Sequence, residues 1–162
     1  MNSIMNEYGV IGSLLIDSSL FPEAAGLPDQ AFSSPALQEV FRTMRRQYEG
    51  RGGFDALTVS VEARRNCPEV TDELLAQMMD ITPTTANLDA YIAAVKEEFL
   101  ARSLREIGAG LMEAEQAPLE ALGRVQDALQ RLTEENTRGD TDTLTDALVR
   151  LGNRVAEQVN GK

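Results

Sequence analysis

The chain has 162 residues, 43% hydrophobic, 25% charged and only 5% aromatic, so a globular core must rest on aliphatic side chains and Met. Lys and Arg number 15 against 26 Asp and Glu, and the net charge of −11 disfavours broad binding to a phosphate backbone. His is absent and Cys67 is the single cysteine, which excludes His-based triads, imidazole bases, Cys-cluster zinc sites and an internal disulfide.

The N-terminus MNSIMNEYG lacks the basic region of a secretory signal. No charge-free stretch is long enough to cross a bilayer, so the expected location is the cytoplasm. Ile4, Tyr8, Ile11 and Leu15 then recur at helical spacing. Gly9 and Gly12 lie inside that helix at a cost of about 1 kcal/mol each, as expected where another helix approaches closely or where the helix is locally weak. Leu20 to Ser34, with Pro22, Gly26 and Pro28, reads as short helical turns and loop. Ser34 as N-cap and Pro35 at the first helical position open a firm helix with Leu37, Val40, Phe41, Met44 and Tyr48 on one face. Gly50-Arg51-Gly52-Gly53 ends it. Asp55 or Thr58 caps a short helix ending near Asn66, and Thr71 or Asp72 opens another with Leu74, Leu75, Met78 and Met79.

Thr82-Pro83 breaks the chain, and from Asn87, a plausible N-cap, a helix of almost thirty residues is predicted. Its second half carries Leu100, Leu104, Ile107 and Leu111. After a reversal at Gln116-Ala117-Pro118, Leu122, Val125, Leu129 and Leu132 are spaced 3, 4 and 3. Two narrow apolar seams joined by a few residues describe an antiparallel helical hairpin. Such a hairpin must pack on the rest of the domain or on another copy, so self-association is the natural inference. Thr133 to Thr143 (TEENTRGDTDT) is polar and reads as an exposed linker. Leu144, Leu148, Leu151 and Val155 then form a last stripe, capped by Asp142 or Thr143, whose partner is expected outside this chain. The fold class is all-α. The expected organisation is a helical bundle over 1–99, a hairpin over 100–135, and a linker with the start of a linker helix over 136–162.

No phosphate loop, nucleophile elbow, HExxH or EF-hand loop occurs, and neither metal nor cofactor is expected. Glu97-Glu98 and Glu134-Glu135 read as solvated helix or linker surface rather than an acid/base pair. Arg42, Arg45, Arg46 and Arg51 form the dense basic cluster, either ordinary helix charge or a contact for an acidic partner or nucleic acid. Met78, Met79 and Met112 read as core filling in preference to a partner groove.

The ordered set of pieces resembles the N-terminal domain of the bacterial and phage replicative DNA helicase, the DnaB family. The pieces are Glu7 with Val10-Ile11-Gly12 and Leu14-Leu15, Phe32 before a helix carrying Phe41, and a turn with Asp55 and Thr58. Thr82-Pro83, Asn87, and Tyr91 leading through Glu98 to Arg102 complete it, so the likeness covers residues 4 to 135. It departs at Cys67-Pro68-Glu69-Val70, where many relatives have a Gly-containing turn.

The resemblance implies a non-catalytic module whose hairpins pair between subunits, from dimer to hexamer, as a trimer-of-dimers collar on a ring. The collar would stabilise the ring and dock a DnaG-type primase, and in some systems a helicase loader, during DNA replication. ATP hydrolysis and strand separation belong in such helicases to a C-terminal RecA-like domain outside these residues. No direct nucleic-acid binding is expected of this domain alone. On that comparison the hairpin residues Leu104, Ile107, Leu111, Leu122, Val125, Leu129 and Leu132 carry self-association. Leu144, Leu148, Leu151 and Val155 dock on the motor domain of a neighbour. A stand-alone phage or plasmid adaptor that binds a host helicase or primase is the alternative.

Overall fold

A computed structural model describes residues 3–112 and 117–137 and the single residue Gly152. Seven α-helices occur among the described residues, with no strand: α1 (Ser3–Ile16), α2 (Phe21–Ala24), α3 (Pro35–Arg51), α4 (Ala56–Asn66), α5 (Asp72–Asp80), α6 (Leu88–Met112) and α7 (Pro118–Thr137). The chain divides into two compact units, Met1–Ala101 and Arg102–Lys162.

Local chemistry sets the boundaries in the first unit. Ser34 accepts from the amide of Leu37 and Pro35 occupies the first turn of α3. The helix closes on Gly52, whose φ of 76° is left-handed. Asp55 and Thr58 form a reciprocal capping box at the start of α4, and Thr71 caps α5. The turn after α4 needs no glycine: Cys67 keeps an extended φ of −139°, and its carbonyl accepts from the amide of the buried Val70 at 3.0 Å. Asn87 is not the cap expected of it. The Thr84 hydroxyl caps a 3₁₀ turn, Thr85–Asn87, that feeds directly into α6.

The single stripe read for α1 understates its burial. Ile11 and Leu15 are buried as expected, but so are Val10, Ser13 and Leu14, because α1 is the central helix of the bundle. Its two glycines admit neighbours: a Cβ at Gly9 would sit 2.7 Å from the Tyr91 ring, and one at Gly12 would overlap the Met78 carbonyl oxygen and the Thr82 hydroxyl. Glu7 is also buried on this helix, accepting from the amide and hydroxyl of Ser33 at 3.0 Å each. Its position, three residues after Ile4 and four before Ile11, is the signal that it faces inward. Beside α1, Phe21, Phe32, Phe41, Tyr48 and Phe54 form a linked aromatic cluster with centroid separations of 4.8 to 6.0 Å. Most of the protein's few aromatics are therefore concentrated in one place.

Candidate functional site

The second unit, Arg102–Lys162, contains the end of α6 and the whole of α7. Its two arms line a common apolar groove of ≈ 170 Å³, with Ile107 and Leu111 from one side and Ala121 and Val125 from the other. Of the expected seam residues, Ile107, Leu111 and Val125 line this groove, and most of the seam is partly open to solvent. Leu104 is 38% exposed, Leu111 46%, Leu122 52% and Leu129 37%, while Ile107 and Val125 are half-buried. Leu132 differs, at 5% exposed. Met112 and Leu119 near the turn are exposed almost fully. The core role expected of Met112 is therefore corrected, whereas Met78 is buried and Met79 half-buried as read. Spacing shows that a residue shares an apolar face, but not whether that face is covered within the chain.

The polar run from Thr133 also needs correction. Helix α7 continues to Thr137, with the Thr133 hydroxyl donating to the Leu129 carbonyl at 2.8 Å and the Asn136 amide donating to the Leu132 carbonyl at 3.0 Å. Glu is a good helix former, and Thr133 and Asn136 bond carbonyls of the helix itself, so polarity alone does not end a helix. The remainder of that run, and the stripe Leu144, Leu148, Leu151 and Val155, lie outside the described residues.

The arginine cluster is largely committed within the bundle. Arg42 bonds Asp29 at 3.1 Å and Glu39 at 2.7 Å. Arg45 donates to the carbonyls of Ala25 and Leu27 and lies over the Phe41 ring, 5.1 Å from its centroid. Arg46 pairs with Glu39 at 3.1 Å and Glu62 at 3.4 Å. Only Arg51 is turned outward without such a contact, although its charge helps lower the pKa of Asp55 after the larger effect of the Thr58 amide. Of the paired carboxylates, Glu98 is half-buried and accepts from the Ser3 hydroxyl at 2.7 Å and the Asn6 amide at 3.3 Å, so it ties α6 to α1. Glu97 and Glu134 are exposed. Among the described residues no group of three or more Cys, Asp and Glu side chains could hold a metal ion, and no helix is long and apolar enough to cross a membrane.

A helical bundle followed by a helical hairpin defines an all-α domain. The chain belongs to the DnaB-like helicase N-terminal domain family, whose model matches residues 1–97. It is similar to the replicative DNA helicase DnaB of Rhodothermus marinus, at 26% identity over 164 residues covering 96% of this chain and 17% of that helicase. The corresponding helicase of Geobacillus stearothermophilus is 30% identical over 108 residues, covering 63% of this chain and 23% of the relative. The chain thus spans less than a quarter of the length of these curated relatives. The crystal structure of the N-terminal domain of DnaB helicase from Mycobacterium tuberculosis superposes with a TM-score of 0.69 at 27% identity, covering 77% of this chain and 94% of that one.

Proposed function

We propose that this chain is the non-catalytic module through which a cytoplasmic replicative helicase assembles its ring and docks a primase or loader. The observation that carries the reading is the leucine seam left half-open along both arms of the hairpin. Water-exposed Leu at four seam positions is costly unless a second surface covers them, and a sister hairpin with the same spacing is self-complementary. At ~25 cal/mol per Å², a few hundred Å² per hairpin contributes several kcal/mol before association costs. That suits a pair formed at micromolar concentration, with the closed ring needing further contacts. ATP hydrolysis and strand separation would reside in a separate motor domain, to which the stripe from Leu144 to Val155 would couple the collar.

The test is sedimentation of the wild-type chain and of a variant carrying Leu111→Asp with Leu129→Asp. The wild type should gain mass with concentration, and the variant should stay at the mass of one chain with its helical circular dichroism intact. Both side chains already touch solvent, so the added charges leave the fold in place. An unchanged oligomer in the double variant would dismiss the seam as the self-association surface.

A further inference from the structure

The bundle carries a second unpaired surface, unrelated to the hairpin. The cap at Asp55 fixes the phase of α4 so that Leu57 and Val61, one helical turn apart, face outward at 70% and 47% exposure. They line an open groove of ≈ 600 Å³ between α3 and α4, and Arg46, Arg51 and Arg65 stand along its rim. The acidic residue lining it is Glu62, already held by the Gln47 amide at 2.7 Å and by Arg46. Arg46 is already committed to Glu62 and Glu39, so the positive charge left to the groove is that of Arg51 and Arg65, with Asp55 near enough to Arg51 for that charge to help lower its pKa, after the larger effect of the Thr58 amide. Among the described residues no carboxylate lies within ion-pair distance of Arg51 or Arg65.

We propose that this groove receives an acidic amphipathic helix of a partner protein, its apolar ridge on Leu57 and Val61 and its carboxylates on Arg51 and Arg65. An apolar pair at i and i+4 between two helices suits a helical ligand, since a helix presents its own anchors at that interval. The charge argument selects an acidic one. Screening confines each charge to about 8 Å at physiological salt, so a short helix seated in the groove feels the local arginines. A nucleic-acid strand would instead be repelled by a chain of net charge −11, and would find an aliphatic floor where stacking rings are needed.

The test uses the full chain and fluorescein-labelled, lactam-stapled helices about sixteen residues long, roughly four turns. One carries Leu on a single face flanked by Glu. A second has the same composition with the Leu residues scattered around the helix, and a third replaces Glu by Lys. Saturable fluorescence anisotropy is expected for the first alone. Leu57→Ser and Arg65→Glu should each weaken it about tenfold, as for anchor residues of a small interface. Both positions are exposed, so the fold is expected to persist in each variant, with circular dichroism as the check. The Leu111→Asp, Leu129→Asp variant should bind the helix as the wild type does, which separates this groove from the hairpin reading. The proposal is overturned if no probe binds, if the scattered or Lys helix binds equally, if single-stranded DNA displaces the acidic helix, or if Leu57→Ser changes nothing.

Discussion

Gly12→Ala is expected to destabilise the bundle by about 3 kcal/mol, the upper part of the range for overpacking a tight core. In an open helix the same change is favourable by up to about 1 kcal/mol, because Ala has less backbone freedom to lose. At Gly12 the new methyl has no space: it meets the Met78 carbonyl oxygen, which belongs to the backbone of α5, and the Thr82 hydroxyl, which is itself bonded to that carbonyl at 2.7 Å. Thr82 is buried, so neither group can swing into solvent, and α5 would have to move off α1. Gly9→Ala should cost less, because its neighbour is the half-buried ring of Tyr91 and not backbone. Gly50, with nothing within 4 Å of its would-be Cβ, serves as the control and should be neutral or slightly stabilising as Ala. Urea unfolding followed by circular dichroism measures all three. A Gly12→Ala midpoint matching that of Gly50→Ala would mean that α1 and α5 are not in close contact.

The glycines of α1 illustrate what could be read in advance. Their presence in a helix otherwise well formed signals a close approach, but sequence spacing gives no hint that the approaching groups are Met78, Thr82 and Tyr91, which lie some seventy residues on. Helix α3 was legible almost to its ends, since Ser34, Pro35 and Gly52 act on their own neighbours. The two helices of the hairpin were legible for the same reason: periodicity is local. What stayed hidden depends on distant partners. The arginines of α3 look like a free basic patch until Asp29, Glu62 and the carbonyls of Ala25 and Leu27 are brought to them. The groove beside Leu57 was missed because Arg46, Arg51 and Arg65 come from two helices, and the exposed Leu57 gave the only local sign. Met112 and the end of α7 depart from their local pattern in opposite directions, one apolar residue left in water and one polar run kept helical.

The pH dependence of stability should expose the role of Glu39. This side chain is 5% exposed and receives hydrogen bonds from Arg42 at 2.7 Å, Arg46 at 3.1 Å, Thr43 at 3.3 Å and Asn66 at 2.8 Å. It therefore joins α3 to the last residue of α4. Burial alone would raise its pKa, but the hydrogen bonds from Asn66 and Arg42 and the charges of Arg42 and Arg46 together outweigh it, so the net shift is downward. A carboxyl whose pKa is lower folded than unfolded adds stability that is present at neutral pH. That stability is lost as the pH falls below about 4.5 and through the folded-state pKa, because the unfolded chain then binds more protons. Asp55, lowered first by the Thr58 amide, and Asp72, lowered first by the Ser60 hydroxyl and then by Arg64, add to the same acid loss. Glu39→Gln keeps the shape and removes the charge. It should be less stable than the wild type at pH 7 by about 2 kcal/mol, below the range for breaking a fully buried pair because both arginines are nearly half-exposed and can turn to water. Asp55 and Asp72 are present in both proteins, so the difference between the two pH curves isolates Glu39. The gap should narrow as the pH drops and nearly close once the wild-type carboxyl is protonated. A gap of constant size from pH 7 to pH 3 would mean that the Glu39 charge is not what stabilises the fold, and would leave the polar coupling of α3 to α4 to Arg46–Glu62 and Gln47–Glu62.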